Sequence, residues 1–178
     1  MKITREWAMP NKWTFKIKPI KQLLYRYVGN GKGWIDPFAG KNSMAEITND
    51  INFEMPTNYH MDSLEFCKSL PYLNLYEGIL FDPPYSYRQV SEHYKHAGIK
   101  ATQLDTSSNF YNRIMNAVCE KIKTGGYAIS FGWNTNGFGE KRGFEKIEIL
   151  IVAHGGHHND TLVTVEQKKQ KQQLELLK

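Results

Sequence analysis

The sequence predicts an α/β fold: a mostly parallel sheet with helices on both faces and a hairpin near the end of the chain. Strand-length apolar runs alternate with segments of helical spacing, which is typical of parallel sheets with helical crossovers. The last two apolar runs flank a short loop rich in Gly and Asn, as in a hairpin. The chain has 178 residues, 40% of them hydrophobic, and shows no repeat or linker, so we expect one domain over residues 1–178.

The first elements follow from apolar spacing and from the residues that start or stop them. A helix is predicted over residues 18–28, because Pro19 suits a first turn and apolar residues recur on one face. Residues 33–35 form a short apolar strand. Residues 41–45 are predicted to open the following helix, and residues 46–49 to form a second strand.

The middle of the chain repeats the alternation. A helix is predicted over residues 63–70, and a buried strand over residues 78–81. Helical spacing continues through residues 110–123 and stops at the pair Gly125–Gly126, a usual helix terminator. The next strand is predicted over residues 127–131.

The end of the chain contains the predicted hairpin and a polar tail. Strands are predicted over residues 147–153 and 161–165. The loop 154–160 carries three histidines and an aspartate, and we interpret it as a polar turn in preference to a metal site. From residue 166 onward the chain is rich in Lys and Gln, and we expect a solvated helix end or frayed coil.

Composition narrows the class of partner and compartment. The net charge of +5 suits attraction to a polyanion such as nucleic acid. Aromatic residues make up 13% of the chain, which suits stacking on bases and equally an aromatic-rich core. Cys67 and Cys119 are far apart and match no metal spacing, so we expect free thiols in a reducing compartment. No signal peptide or membrane-length apolar run is visible, so we expect a cytoplasmic protein with no membrane partner.

Two predicted strands end at an aspartate followed by proline. The first reads Trp34–Ile35–Asp36–Pro37–Phe38–Ala39–Gly40, and the second reads Ile79–Leu80–Phe81–Asp82–Pro83–Pro84–Tyr85. Ligands of open α/β sheets bind in the crevice outside the carboxyl ends of the strands, so both carboxylates are expected in one cleft.

In the first segment, small residues leave room for a ligand beside a carboxylate. Gly40 permits a tight turn and close backbone approach, and Asp36 offers oxygen acceptors to a cationic group. The alternative is a plain strand-to-helix turn with a capping aspartate.

The second segment suits recognition of an amino group. Its two prolines fix the backbone and supply no N–H donors. The Asp82 side chain and the Pro83 carbonyl then offer two acceptors, which match the two hydrogens of an –NH2 group. Tyr85 adds a face on which a base can stack. The alternative is a rigid turn with a buried tyrosine.

At these residues the sequence resembles the amino-methylating DNA methyltransferases, specifically the N6-adenine group. Asp36 to Gly40 is similar to the cofactor motif, and Asp82 to Tyr85 is similar to the catalytic motif. The resemblance implies a seven-stranded Rossmann-like sheet with an antiparallel last strand, and S-adenosyl-L-methionine as cofactor. It implies methyl transfer to the N6 of an adenine flipped out of DNA.

The resemblance also implies roles for single residues. An N-terminal segment over residues 13–19 resembles the one that closes over the cofactor, Asp50 would bind the cofactor ribose, and Asp62 would bind its adenine. This motif order matches the arrangement called gamma. The implied cofactor residues are Phe15, Lys18, Asp36, Pro37, Phe38, Ala39, Gly40, Asp50 and Asp62, and the implied catalytic residues are Asp82, Pro83, Pro84 and Tyr85.

One departure from the family leaves the target open. No separate target recognition domain is evident, since the only sizeable insert, residues 86–109, is short. A partner subunit or homo-oligomer, relaxed specificity, or an RNA or single-stranded substrate would each account for this. The alternatives are an RNA adenine-N6 methyltransferase and a non-catalytic nucleic-acid-binding subunit. A role in restriction, in a phage or other mobile element, or in gene regulation stays open.

Overall fold

The computed structural model describes residues 1–85, 87–96, 98 and 109–170. The described residues form one seven-stranded sheet in the order β1-β6-β7-β5-β4-β2-β3. The strands are β1 (Lys2–Trp7), β2 (Trp34–Asp36), β3 (Ile47–Thr48), β4 (Tyr76–Phe81), β5 (Ile122–Gly132), β6 (Phe144–Ala153) and β7 (Thr161–Lys168). The helices are α1 (Lys18–Tyr27), α2 (Ser63–Ser69), α3 (Tyr87–His96) and α4 (Phe110–Cys119).

Strand direction brings the predicted site to one edge of the sheet. Only β7, among the described strands, runs antiparallel to its neighbours, β5 and β6, and the other strand pairs are parallel. The predicted α/β class and the antiparallel hairpin are therefore confirmed. The carboxyl ends of β2, β4 and β5 lie at the same edge, as the two aspartate-bearing strand ends require.

Each face of the sheet buries its own core. On one face α1 packs Ile20, Leu23 and Leu24 against strand residues that include Leu80 and Ile129. On the other face, α2 and α4 cover neighbouring strand residues that point the opposite way. This alternation follows from the two-residue period of strand side chains.

Helix α1 is close to the prediction. Pro19 lies in its first turn, where a missing N–H is tolerated, and its buried residues lie on one face. The helix ends at Tyr27 with Val28 as its C-cap, and Gly29 follows with φ of +61°. A glycine in this conformation is a usual helix stop.

Residues 41–45, predicted to open a helix, form none. Gly40 adopts φ of +53°. The Ser43 hydroxyl donates to Asp36 at 2.6 Å, and its Oγ accepts the Ala45 N–H at 3.2 Å. Because side-chain bonds satisfy the polar groups locally, a turn replaces the helix.

The helix predicted over residues 110–123 was too long. It ends at Cys119, and Ile122 is instead the first residue of β5, paired with Tyr76 of β4. Gly125, with φ of +81°, lies within the irregularity that shifts the register of this pairing. The spacing of Ile122 suits either element, and pairing with β4 decides between them.

The predicted polar tail begins too early. Glu166 lies inside β7 and is fully buried, and its carboxylate accepts the N–H groups of Phe138 at 2.6 Å and Gly139 at 3.0 Å. These partners are distant in sequence, so no local pattern announces them. Residues 171–178 of the tail lie outside the described part of the chain.

Strand β1 has no counterpart in the prediction. It pairs parallel to β6 at the sheet edge, and five of its six residues are exposed. An exposed edge strand needs no apolar alternation, so its sequence carries no strand signal. None of the helices in the described part of the chain has the length and hydropathy needed to span a bilayer.

Candidate functional site

The predicted site residues converge on one cavity of about 330 Å³ at the carboxyl edge of the sheet. All four predicted catalytic residues line it. Six predicted cofactor residues line it as well: Phe15, Pro37, Phe38, Ala39, Gly40 and Asp50. Lys18, Asp36 and Asp62 are outside its lining.

Asn49 fixes the loops that form one wall of this cavity. The side chain is fully buried, and its amide donates to the carbonyls of Pro37 at 3.2 Å and Met61 at 3.0 Å. Its backbone carbonyl accepts the Ala39 N–H at 2.9 Å. Sequence analysis missed Asn49, although its position directly before Asp50 at a strand end was a usable signal.

Asp50 presents a carboxylate at the cavity wall. One oxygen accepts the Gly40 N–H at 3.0 Å and the other accepts the Asn52 N–H at 2.8 Å. Each carboxylate oxygen has two lone pairs, so both keep capacity for a further donor. Gly40 matters for shape: a Cβ there would lie 3.4 Å from the Trp13 ring, which packs over it.

Asp36 holds the loop beneath the cavity. Its side chain is completely buried, and it accepts the Phe38 N–H at 2.9 Å and the Ser43 hydroxyl at 2.6 Å. Burial raises the pKa of Asp36 to about 7, although these two hydrogen bonds oppose the shift. Direct contact between Asp36 and a cofactor stays a prediction, and this geometry favours an indirect role through the loop.

Asp62 and Lys18 also serve local structure. Asp62 caps α2 by accepting the N–H groups of Leu64 at 2.9 Å and Glu65 at 3.2 Å. Its other oxygen accepts the hydroxyl of Tyr94, which joins α3 to α2. Lys18 is the exposed first residue of α1. Their predicted contacts with a cofactor stay predictions.

The segment from Asp82 to Tyr85 follows β4 directly. The Tyr85 hydroxyl donates to the Asp82 carboxylate, and the Thr14 side chain hydrogen-bonds the same group. Burial raises the pKa of Asp82, and these two hydrogen bonds oppose the shift. Burial and the neighbouring Asp82 charge raise the pKa of Tyr85, so its phenol stays protonated and donating. Sequence analysis missed Thr14, which no local pattern links to Asp82.

The two proline carbonyls differ in what they contact. Pro84 accepts a hydrogen bond from the Tyr111 hydroxyl of α4, which fixes the bend. Among the described residues no hydrogen bond reaches the Pro83 carbonyl.

A second, larger cavity of about 1010 Å³ adjoins the first. Pro83, Pro84 and Tyr85 line both, so this bend separates the two spaces. Trp133, directly after β5, lines the second cavity with its ring centroid 5.6 Å from that of Tyr85.

Other candidate ligands are explained by local structure. In the described part of the chain, no cluster of three or more His, Cys, Asp or Glu side chains could hold a metal ion. His154 is buried, with one ring nitrogen 2.9 Å from the Ala8 carbonyl and the other 2.9 Å from the Thr161 hydroxyl. Cys67 and Cys119 are both free thiols.

The chain shares its fold with solved methyltransferases at low sequence identity. One is the 1,6-didemethyltoxoflavin-N1-methyltransferase of Burkholderia thailandensis, solved with 1,6-didemethyltoxoflavin and S-adenosylhomocysteine. It gives a TM-score of 0.55 at 9% identity over 86% of this chain and 78% of that one. A SAM-dependent methyltransferase from Archaeoglobus fulgidus gives a TM-score of 0.55 at 13% identity, covering 85% of this chain and 94% of its own.

A third structure extends the comparison to an N-methyltransferase. NodS from Bradyrhizobium japonicum WM9 gives a TM-score of 0.53 at 9% identity, covering 86% of this chain and 96% of its own. No family model and no curated protein sequence matches the chain. At these identities the likeness establishes the Rossmann-like methyltransferase fold.

Proposed function

We propose that the chain is an S-adenosylmethionine-dependent methyltransferase that methylates the exocyclic N6 amine of adenine in DNA. The observation that carries the proposal is the shared bend: Pro83, Pro84 and Tyr85 line both cavities. A methyl donor on one side and an amine on the other would therefore meet beside Asp82.

The first cavity suits the cofactor. Its volume of about 330 Å³ lies within the range of pockets that enclose drug-sized ligands. Asp50 keeps acceptor capacity for ribose hydroxyls, and Phe38 and Met61 supply apolar surface for a purine. When bound, S-adenosylmethionine supplies an activated methyl group on a positively charged sulfur.

Asp82 and Pro83 are proposed to activate the amine. The lone pair of an adenine amine is delocalised into the ring, which makes the nitrogen a poor nucleophile. The Asp82 carboxylate and the Pro83 carbonyl would each accept one amine hydrogen and draw the nitrogen towards tetrahedral geometry. As the nitrogen gained the methyl group, the C–S bond of the donor would break and S-adenosylhomocysteine would leave. The amine proton would go to Asp82, which passes it to solvent.

The resting site must open for this to happen. Tyr85 and Thr14 now hydrogen-bond to the Asp82 carboxylate, and we propose that the incoming amine replaces the Tyr85 hydroxyl there. Tyr85 then becomes available to stack on the base, a contact worth about 1–3 kcal/mol in other proteins. A paired adenine cannot reach such a bend, so the base must leave its helix.

The test uses the variants Asp82→Asn and Asp82→Ala. We expect both to lose more than about a hundredfold in methyl transfer, because an acceptor aimed at the reacting nitrogen contributes on that scale. Binding of S-adenosylmethionine, measured by calorimetry, should persist. Transfer of labelled methyl groups to DNA and to RNA of the same adenine-containing sequence identifies the polymer.

A matched control is Glu65→Gln, which removes one exposed carboxylate on α2. It should retain wild-type transfer. Near-wild-type turnover by Asp82→Asn would overturn the assignment. Cofactor binding by the wild type without transfer to either polymer would favour a non-catalytic subunit.

A further inference from the structure

Trp133 is an unexplained aromatic residue beside the bend. It follows β5 directly, and 49% of its surface is exposed. Its ring lies 5.6 Å from Tyr85 at an interplanar angle of 56°. A large ring left half in water beside a reactive bend is typical of a binding surface, since tryptophan is otherwise highly buried.

The register of the sheet places Trp133 beside the bend that follows β4. Phe81 of β4 pairs in parallel with Ser130 of β5, so the residues after both strands emerge side by side. Gly132 is the last residue of β5, directly before Trp133. A Cβ built on Gly132 would meet no atom of the described residues within 4 Å. Open space therefore adjoins the bend on the side of the second cavity.

This space also contains an unused polar group. The Ser130 hydroxyl is buried and has no hydrogen-bond partner within the described ranges. Ser130 lines the second cavity. A buried hydroxyl without a partner is costly, and a ligand atom would satisfy it.

The second cavity is lined by both basic and acidic side chains. Arg142 donates to Asn112 at 2.9 Å, Asn116 at 2.7 Å and the Phe138 carbonyl at 2.8 Å, all neutral acceptors, so its positive charge is not cancelled by them. Lys141 and Lys146 line the same cavity.

Two of the acidic side chains that line the second cavity, Glu145 and Glu166, have partners within the protein. Glu145 pairs with Lys169 at 2.6 Å. The Glu166 carboxylate is bound by two backbone N–H groups, and burial raises its pKa. Glu140 lines the cavity as well, so its described lining includes three acidic side chains beside the basic Lys141, Arg142 and Lys146. The cavity combines basic side chains with an aromatic ring, two features of single-strand nucleic-acid grooves.

We propose that Trp133 is the second aromatic wall for the target base, and that the cavity beginning at Gly132 receives the single strand that carries it. This inference rests on the proposed function. Two rings that enclose a third at van der Waals distance stand about 7 Å apart. Because Tyr85 and Trp133 are 5.6 Å apart, the exposed Trp133 ring moves outward as the base enters.

The first test compares Trp133→Ala with Trp133→Phe. The probe is a single-stranded DNA oligonucleotide with 2-aminopurine at the target, whose fluorescence reports the surroundings of the base. We expect Trp133→Ala to raise the Kd of this probe about tenfold or more, as loss of one stacking contact does, and to raise the KM for the same oligonucleotide with adenine at the target. Trp133→Phe should recover most of the affinity, and S-adenosylmethionine binding should be unchanged in both.

Gly132→Ala provides an independent steric probe. Its added methyl group meets no atom of the described residues within 4 Å, so circular dichroism and thermal unfolding should show an unchanged fold. If the strand occupies this space, the methyl group should raise the oligonucleotide Kd without changing cofactor affinity.

The outcomes separate the two proposals. Wild-type binding of the oligonucleotide and cofactor without methyl transfer contradicts the proposed function, while the Trp133 comparison still reports on the groove. Wild-type transfer with unchanged oligonucleotide Kd in Trp133→Ala and Gly132→Ala overturns the present inference alone. Absence of wild-type oligonucleotide binding overturns it as well.

Discussion

Asp36 and Asp82 show how two similar sequence contexts give different surroundings. Both follow a buried strand and precede a proline. Asp36 is enclosed by its own loop, whereas Asp82 lines the first cavity. The second proline makes the difference. The Phe38 N–H donates to Asp36, whereas Pro84, at the matching position after Asp82, has no N–H to donate.

Asp36 should make stability depend on pH. The pKa of Asp36 is raised to about 7 in the folded chain. The stability that protonated Asp36 contributes is therefore fully present below the unfolded pKa and is lost as pH rises to about 7. Asp36→Asn stays neutral, so the free energy of unfolding of the variant relative to wild type should increase between about pH 4 and pH 7. Urea unfolding at pH 5 and pH 8 measures this difference. A difference that does not change with pH would contradict the burial argument.

Residue roles were predictable where the motif was local. The segments 36–40 and 82–85 identified eight residues that line the first cavity. Thr14 and Trp133 were missed because their contacts with Asp82 and Tyr85 join parts of the chain that are far apart, and single-sequence spacing does not report such contacts. Asn49 was missed although it directly precedes Asp50.

At the scale of elements, Asp62 links a helix terminus to the site region. It caps α2 and accepts the Tyr94 hydroxyl from α3. Asp62→Ala should lower the free energy of unfolding by about 1 kcal/mol or more, the usual effect of losing an N-cap. Asp62→Asn keeps a good cap and should restore most of it, as measured by urea unfolding.

The same pair of variants tests the contact with cofactor that the resemblance implies. If Asp62→Asn retains stability but loses S-adenosylmethionine affinity, a direct contact is indicated. Wild-type stability of Asp62→Ala would contradict the capping role.

Elements with clear start and stop residues were predicted well, and those shaped by distant pairing were not. Helix α1 has a proline in its first turn, a glycine after its C-cap and a continuous apolar face, and its bounds were nearly correct. The boundary between α4 and β5 was misplaced because Ile122 fits both periods and only pairing with Tyr76 distinguishes them. Strand β1 was missed because an exposed edge imposes no pattern.

At the scale of the whole molecule, Glu148 joins three elements. Arg26 and Tyr27 of α1 donate to its carboxylate at 2.8 Å, and Lys2 of β1 lies 3.4 Å from it. Burial alone would raise the pKa of Glu148. Hydrogen bonds from Arg26 and Tyr27 and the nearby positive charges outweigh that effect, and the pKa is lowered.

Glu148→Gln should therefore loosen the attachment of β1 and α1 to β6. We expect the free energy of unfolding to fall by about 1–3 kcal/mol at pH 7, the range for a lost hydrogen bond to a charged group. Because the folded pKa is lowered, this stabilisation is present above the unfolded pKa of about 4.3 and is lost below it. The difference from wild type should shrink as pH falls below that value.

Urea unfolding of Glu148→Gln at pH 7 and at pH 3.5 measures the effect. Glu6→Gln, on the exposed β1, is a suitable control and should change stability little. Equal stability of Glu148→Gln and wild type at pH 7 would show that the contacts of Glu148 with Arg26, Tyr27 and Lys2 do not stabilise the fold.

The parallel attachment of β1 has a practical consequence for handling the protein. Met1 lies at the amino edge of the sheet, because β1 runs in the same direction as β6 and hence as β4 and β5. A tether at the amino terminus would therefore orient the molecule on a sensor chip with the first cavity towards the flowing solution. Immobilised in this way, the chain could be assayed for cofactor and oligonucleotide on the same surface.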